Sequence, residues 1–379
     1  MNGMHENQWI IAEAPARIDL SGGWSDTPPI TYESGGEVTN VAVKVDGIKP
    51  IGAKIRKIPK YELILVMCDK RTNHQEILEC KKLEDLKDYC EPSASGALLK
   101  TAFLCTEVVD MKSELTLAEQ LKTKFGCGFE IHSWSYLPFG SGMGTSSILA
   151  GTICAAIWRI TKREYSERDL IHLVVELEQM LTTGGGWQDQ VGGLIPGVKY
   201  TKSPAVVPIQ VYPEKLTISK DTLKNVSSNM VLIYTGKTRL AKNLLQNVIR
   251  RWRDGTEEII NNVNDLKENA RTCAKAWSDG DLIAMGKCLN VYRKQKKIMA
   301  PDSEPDDIRE IINSVLSYSY GCCFAGAGGG GYLLAITKEP DMHKQLEGIL
   351  KKLSYETNGS YTVHRIEVDN EGLIVHTSQ

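Results

Sequence analysis

The sequence predicts a fold that mixes β-strands with α-helices, and three observations carry this prediction. Residues 9–68 contain short apolar or alternating runs separated by turn residues, which is typical of strands. Residues 237–318 contain long amphipathic segments with helical periodicity, and strand-like apolar runs return between residues 332 and 375. At 379 residues the chain is long enough for two domains with full cores.

The composition narrows the class of protein. Hydrophobic residues make up 42% and charged residues 24%, as in ordinary globular proteins. The formal net charge of -2 gives no reason to expect nucleic-acid binding. The ten cysteines include no CxxC pair, there is no apolar run of about 18 residues, and the first residues are polar. We therefore expect a cytoplasmic protein with reduced thiols and no membrane segment.

A glycine-rich loop follows the predicted strand 128–134. Gly140, Gly142 and Gly144 alternate with other residues, and three hydroxyl residues then open a predicted helix. Free N–H groups at a helix start, together with the helix dipole, favour a phosphate without requiring a lysine. The predicted phosphate-binding residues are Gly140, Ser141, Gly142, Met143, Gly144, Thr145, Ser146 and Ser147.

Two better-known phosphate motifs fail on their spacing. The dinucleotide fingerprint needs glycine at its sixth position, where Thr145 stands. A P-loop ending at Gly236-Lys237-Thr238 would need its first glycine at Val231. A flexible glycine loop without a ligand is the remaining alternative when this loop is considered alone.

The strand predicted from Ile10 to Leu20 carries two charged residues on one face. Arg17 and Asp19 are two residues apart among apolar neighbours, and Asp26 lies in the turn beyond. Either Arg17 and Asp19 simply pair with each other, or they belong to a functional site.

The helix predicted after Ser166 has one inward-facing carboxylate. Ser166 and Asp169 form an N-terminal capping pattern. At about 100° per residue, Glu178 falls inside the apolar half of the helix, whereas Glu176 falls on the solvent side. A buried carboxylate must be neutralised, paired or bound to a cation, so Glu178 is a candidate metal ligand.

Two further features of the sequence each leave two interpretations open. Asp189 is flanked by glycine-rich segments and is either a turn residue or, beside Glu178 and the loop, a catalytic carboxylate. Four glycines at 328–331, before the predicted strand 332–336, indicate close backbone approach or a linker.

Prolines interrupt the strand pattern between residues 201 and 224, which predicts a domain boundary near residue 220.

Three motifs together resemble those of the GHMP small-molecule kinases. They span residues 15–26, 137–147 and 325–331. The resemblance implies an α+β fold of two domains, 1–220 and 221–379, with the active site in the cleft between them. It also implies a left-handed βαβ unit in the first domain and a ferredoxin-like second domain.

Within this family, residues 14–29, 181–190 and 234–239 look like the kinase region of animal L-fucose kinases, and heptose phosphate kinases share a similar pattern. The resemblance implies transfer of phosphate from ATP, with Mg²⁺, to the anomeric hydroxyl of L-fucose. A heptose 7-phosphate kinase and a sugar-binding sensor without turnover are the alternatives. Animal fucose kinases also carry an N-terminal region resembling a nucleotidyltransferase.

The resemblance assigns a role to each candidate residue. Ser147 and Glu178 would bind magnesium, and Asp189 and Arg17 would be catalytic. The predicted substrate-binding residues are Asp26, Gly186, Trp187 and Arg239, and the glycines that characterise the third motif are Gly328, Gly329 and Gly330. Trp187 either stacks on the sugar or only packs in the core.

Overall fold

The computed structural model of the chain describes residues 8–237, 241–357 and 359–378. Its strands are β1 (Ile10–Ala14), β2 (Ala16–Ser21), β3 (Gly36–Val45), β4 (Ile51–Ile58), β5 (Leu63–Asp69), β6 (His74–Cys80), β7 (Gly128–Ser135), β8 (Val198–Ser203), β9 (Tyr212–Lys215), β10 (Met230–Tyr234), β11 (Ser319–Phe324), β12 (Tyr332–Thr337), β13 (Thr362–Val368) and β14 (Ile374–Thr377). Its α-helices are α1 (Ile30–Ser34), α2 (Ala97–Cys105), α3 (Leu117–Phe125), α4 (Thr145–Ile160), α5 (Glu167–Met180), α6 (Gln188–Leu194), α7 (Lys220–Ser228), α8 (Ala241–Arg253), α9 (Glu257–Asp279), α10 (Leu282–Met299), α11 (Asp306–Leu316) and α12 (His343–Thr357).

The first sheet has the strand order β14-β1-β4-β7-β5-β6. Helix α4 packs against β1 and β4, and together they form the first hydrophobic core. The main chains of Trp9 and Ser378 are joined where β14 meets β1, because Ser378 N donates to Trp9 O at 2.8 Å. The last strand of the chain therefore completes the first sheet.

The second sheet has the order β11-β12-β10-β13-β3-β8-β9, with β2 paired to β3. Strands β10 to β13 are antiparallel to their neighbours and follow the order strand, helices, two strands, helix, strand. This is the ferredoxin-like arrangement that the resemblance implied. The sheet continues across residue 220, because β13 pairs with β3, and the division into 1–220 and 221–379 stays a prediction.

The strand predicted from Ile10 to Leu20 is two strands. The break falls at Pro15, which has no N–H for a sheet ladder. Strand β1 joins the first sheet, and β2 joins the second. Every residue of β2 is buried, so Arg17 and Asp19 lie inside the protein.

The predicted faces of α5 are confirmed. Ser166 Oγ accepts a hydrogen bond from Asp169 N at 3.2 Å, and Asp169 Oδ2 accepts one from Ser166 N at 2.9 Å. Glu176 is exposed, whereas Glu178 is only 7% exposed. The carboxylate of Glu178 therefore points into the interior, as the periodicity predicted.

Asp189 lies in the first turn of α6 and not in an open turn. The two glycines of this helix permit close packing. A Cβ on Gly192 would lie 2.7 Å from Arg17 Cβ, and one on Gly193 would lie 2.3 Å from Ile148 Cδ1. The buried Lys199 Nζ donates to the main-chain oxygens of residues 192, 195 and 197 at 2.7–2.9 Å, which satisfies carbonyls at the end of α6.

Candidate active site

The described helices include none that is long and apolar enough to cross a bilayer.

A cavity of about 250 Å³ lies where the three motifs meet. The cavity is lined by Arg17, Asp19 and Asp26 from the first motif, residues 139–147 except Met143, Glu178 from α5, Gln188 and Asp189 from α6, Tyr292 and Lys296 from α10, and Gly326 and Ala327 from the third motif.

The glycine loop has the backbone that its sequence predicted. Gly140, Gly142 and Gly144 have φ values of 71°, 79° and 70°, which side chains disfavour. A Cβ on Gly326 would lie 2.6 Å from the Cα of Gly142, so the second and third motifs touch through their main chains. Helix α4 then begins at Thr145, and its first N–H groups have no partner within the helix.

Polar groups in the loop have unused hydrogen-bonding capacity. The side-chain oxygens of Ser141 and Thr145 are buried and have no hydrogen-bond partner among the described residues. Burying a hydroxyl without a partner costs about 1–3 kcal/mol. Together with the start of α4, these groups could bind phosphate oxygens.

Ser147 and Glu178 meet beside this loop. Ser147 Oγ donates a hydrogen bond to Glu178 Oε1, whereas the buried Oε2 has no partner in the described chain. Burial raises the pKa of Glu178 to about 8; the Ser147 hydrogen bond opposes this shift, and the negative charges of Asp189 and Asp26 add to it.

This pair fits Mg²⁺. The ion typically takes one or two protein carboxylates and completes its shell with water and phosphate oxygens. The unpartnered Oε2 of Glu178 and the Ser147 hydroxyl are suitable ligands, and both line the cavity. Within the described ranges no group of three or more acidic, cysteine or histidine side chains could hold a metal on its own.

Arg17 and Asp189 form an ion pair in the cavity. Arg17 Nε donates to Asp189 Oδ1 at 2.8 Å, and Arg17 Nη2 lies 2.5 Å from the same oxygen. Asp189 is 29% exposed, so its second oxygen can meet a substrate. Arg17 Nη1 also lies 3.3 Å from Asp19 Oδ1, so Arg17 contacts both carboxylates.

Asp26 is a fully buried carboxylate with a complete set of donors. It accepts hydrogen bonds from Trp24 N at 3.1 Å and from the main-chain N and side-chain Nε2 of Gln188, both at 3.2 Å. Burial, and then the nearby Asp189, raises the pKa of Asp26 to about 7. A Cβ on Gly186 would lie 2.0 Å from Asp26 Oδ2, so glycine is required for this approach.

Trp187 and Met143 were predicted as site residues but do not line the cavity. Trp187 is completely buried, belongs to the same apolar cluster as Ile171 and donates from Nε1 to Thr31 Oγ1 at 3.3 Å. This position favours the interpretation that Trp187 only packs in the core. Met143 is also completely buried, and its carbonyl accepts a hydrogen bond from Arg17 N at 3.3 Å.

The characteristic glycines of the third motif do not line the cavity. Gly329 N donates to Ser303 O at 2.6 Å, and Gly331 N donates to Lys237 O at 2.8 Å. Gly328 has a φ of 93°. Arg239, the last predicted substrate-binding residue, lies outside the described residues.

The buried positions of Gln188, Tyr292 and Lys296 at the cavity were not predicted from the sequence. Gln188 donates to Asp26, and its own Oε1 is buried without a partner among the residues described. Tyr292 and Lys296 are four residues apart on α10, where a lysine would ordinarily be interpreted as solvent-facing. The i, i+4 spacing of Tyr292 and Lys296 is visible in the sequence. The buried carboxylate that both of them contact, Asp19, cannot be identified from that spacing.

Residues 112–195 match the family model for the GHMP kinases N terminal domain. The chain is 31% identical, over 92% of its length, to an L-fucokinase/L-fucose-1-P guanylyltransferase of Bacteroides fragilis, and it covers 36% of that protein. It is 30% identical, over 90% of its length, to a bifunctional fucokinase/GDP-fucose pyrophosphorylase of Arabidopsis thaliana, covering 31%. The chain thus spans about a third of the length of these two relatives.

A D-glycero-alpha-D-manno-heptose 7-phosphate kinase of Campylobacter jejuni is 24% identical over 63% of the chain and 70% of that relative. Among solved structures, a D-glycero-D-manno-heptose 1-phosphate kinase of Bacteroides thetaiotaomicron superposes with a TM-score of 0.65 at 18% identity, covering 98% of this chain and 99% of the other. Residues 112–195 are thus similar to the GHMP kinases N terminal domain, and the α+β fold of the chain is that of the kinase structure on which it superposes.

Proposed function

We propose that this protein is a sugar kinase that transfers the γ-phosphoryl group of ATP to the anomeric hydroxyl of L-fucose. The observation that carries the proposal is that one cavity contains the glycine loop, the Ser147–Glu178 pair and the Arg17–Asp189 pair. Phosphoryl transfer requires a bound triphosphate, charge neutralisation and an aligned acceptor, and these groups supply each of them.

In the proposed reaction, the anomeric oxygen bonds to the γ-phosphorus while the bond from that phosphorus to the β,γ-bridging oxygen breaks. The electron pair of the broken bond remains on ADP. Asp189 accepts or orients the proton of the sugar hydroxyl, and Arg17 holds Asp189 through the 2.8 Å hydrogen bond from its Nε. The positive charge of Arg17 also lies beside the transferring group.

Ser147 and Glu178 would hold Mg²⁺, which neutralises negative charge on the phosphate oxygens when bound. The loop residues 140–147 would hold the phosphates through N–H groups and the hydroxyls of Ser141 and Thr145. Asp26 would orient Gln188, whose unpartnered Oε1 then offers an acceptor to a sugar hydroxyl. Gly186 permits the close approach of its main chain to Asp26.

The charge state of the cavity wall supports an uncharged sugar as substrate. Among the described residues, Arg17 and Lys296 are the cations of the lining, and both are committed to other groups. Lys296 contacts Asp19 and two carbonyls, and Arg17 contacts two carboxylates and two carbonyls. The phosphate of a heptose 7-phosphate would need a further cation.

A heptose 7-phosphate kinase remains the second candidate, because the Campylobacter relative carries that name. The binding-only alternative is weaker, because both Glu178 and Asp189 are present in the cavity. We also infer that the sugar 1-phosphate product is passed to a nucleotidyltransferase. This inference rests on the two-activity names of the relatives from Bacteroides and Arabidopsis.

The test is ADP release from ATP and Mg²⁺ with L-fucose, D-arabinose, D-galactose, D-mannose and heptose 7-phosphate. We expect the highest kcat/KM with L-fucose. A higher value with another neutral sugar would reject L-fucose and keep the kinase. A higher value with the heptose phosphate, lost in an Arg239→Ala variant, would favour the second candidate. Binding of sugar and ATP without any turnover would reject the kinase itself.

A further inference from the structure

Helix α10 places two buried polar side chains against the cavity. Tyr292 is completely buried and Lys296 is 3% exposed. The three N–H bonds of the Lys296 ammonium have three acceptors: Asp19 Oδ2 at 3.0 Å, and the main-chain oxygens of Phe324 and Gly326, both at 2.7 Å. Lys296 is therefore fully committed to groups of the protein, and it offers no donor to a ligand.

Asp19 connects this helix to the catalytic pair. Its Oδ2 accepts the hydrogen bond of Tyr292 OH at 2.6 Å and the ion pair with Lys296. Its Oδ1 lies 3.3 Å from Arg17 Nη1. Asp19 thus shares its charge between Arg17 and Lys296, while Arg17 shares its charge between Asp19 and Asp189.

The same two cations hold the end of β11. Lys296 binds the carbonyls of residues 324 and 326, and Arg17 Nη1 binds the carbonyl of Ala325 between them. Arg17 Nη1 also donates to Gly142 O of the glycine loop at 2.9 Å. The first, second and third motifs are consequently joined through Arg17 and Lys296.

We propose that Lys296 and Tyr292 are positioning residues, which fix Arg17 toward Asp189 by neutralising and orienting Asp19. This inference rests on the proposed kinase function, because Arg17 and Asp189 have their catalytic role only there. Without Lys296, Asp19 is a buried carboxylate whose remaining counter-charge is Arg17. Arg17 then moves toward Asp19 and away from Asp189, and the base is misplaced.

The consequence is a specific kinetic pattern. Lys296→Met is expected to lower kcat about 100-fold, because a misplacement of about 1 Å in a catalytic group has an effect of that order. The KM for ATP should stay within about threefold, because the loop keeps its own N–H groups and hydroxyls. Tyr292→Phe removes one hydrogen bond and should lower kcat by about three- to tenfold.

The decisive variant is Asp19→Asn combined with Lys296→Met. Because the neutral asparagine no longer competes for Arg17, the double variant should have a higher kcat than Lys296→Met alone. A merely structural lysine predicts the opposite, since each substitution would add its own damage. Lys297→Met is the matched control: Lys297 is the next residue, 42% exposed and 3.9 Å from Glu304, and should retain wild-type kcat.

The assay uses the whole chain, the best sugar of the panel and a melting curve for each variant. Recovery of kcat in the double variant supports the proposal, and a double variant no better than Lys296→Met overturns it. If Lys296→Met does not fold, a Tyr292→Phe variant with unchanged kcat overturns it equally. An inactive wild-type protein would reject the kinase function and this inference with it. An active wild type whose Lys296→Met and Tyr292→Phe variants keep the wild-type kcat would reject this inference alone.

Discussion

Asp26 and Glu178 line the same cavity, and both are buried, yet their surroundings differ. Asp26 accepts hydrogen bonds from Trp24 N and from two nitrogens of Gln188. Glu178 has one donor, Ser147, and its Oε2 has no partner in the part of the chain described. Burial raises the pKa of both carboxyls, to about 7 for Asp26 and about 8 for Glu178.

The difference separates two kinds of buried carboxylate. Asp26 is held by protein donors before any ligand binds, so it can orient a neighbour such as Gln188. Glu178 lacks the partner that would stabilise its charged form, and a bound cation would provide it. The unpartnered oxygen of Glu178 therefore indicates where a cation is expected. The fully hydrogen-bonded Asp26 is instead a rigid part of the cavity lining.

Replacement of Asp189 should have the largest effect, since Asp189 raises the pKa of both carboxyls and is the proposed base. Asp189→Asn is expected to lower kcat about 1,000-fold, which is within the range of general-base contributions, without loss of folding. Steady-state ADP release and a melting curve measure the two quantities. Turnover near that of the wild type would remove Asp189 from the base role.

Glu178→Gln should raise the Mg²⁺ concentration needed for half-maximal activity about 10- to 100-fold, because the amide cannot supply a charged ligand. A magnesium titration at saturating ATP measures this shift. Glu176→Gln is the matched control, since Glu176 is exposed two residues earlier on the same helix. Equal shifts in the two variants would contradict the assignment of Glu178 as a ligand.

Asp26→Asn should act on the sugar and leave Mg²⁺ unaffected. Asparagine would place an N–H₂ group against donors that now face carboxylate oxygens, so Gln188 would lose its orientation. We expect the KM for the sugar to rise about tenfold and the unfolding free energy to fall by about 1–3 kcal/mol. An unchanged sugar KM, or a shifted magnesium requirement, would erase the distinction between the two carboxylates.

The smallest predicted effect is on the pH dependence of stability. The folded state keeps protons on Asp26 and Glu178 at pH values where the unfolded chain has lost them, so the unfolding free energy falls as pH rises toward 7–8. Melting curves between pH 5 and about 8 measure this slope. Excess Mg²⁺ should reduce only the part due to Glu178, and a slope unaffected by Mg²⁺ in the wild type would contradict the assignment.

The inward position of Glu178 could be predicted because helical periodicity is a local property of about four turns of sequence. The glycine loop was predictable for the same reason, since alternating glycines dictate its backbone. The contacts of Tyr292 and Lys296 with Asp19 could not be predicted in this way. Tyr292 and Asp19, for example, are 273 residues apart in the chain.

The fold shows the same limit. The amphipathic pattern of residues 237–318 predicted helices where α9 and α10 lie, but β11 was not predicted, because its Ser-Tyr-Gly-Cys-Cys-Phe sequence has no alternating apolar pattern. Helix α6 contains two glycines, which disfavour helices in isolation. It is stabilised by burial, since Gly192 and Gly193 pack against Arg17 and Ile148. Tertiary contacts, and not local sequence pattern, determine the structure of both β11 and α6.

The hydrogen bond between Ser378 and Trp9 brings the two ends of the described chain into direct contact. A second bond, from Trp9 N to Ser378 Oγ at 3.0 Å, reinforces the first. A circular permutant that joins these two points through a short flexible linker and opens an exposed loop elsewhere should therefore keep the active site. For the same reason, any module connected at either point would be attached at one place on the surface, at the edge where β14 meets β1.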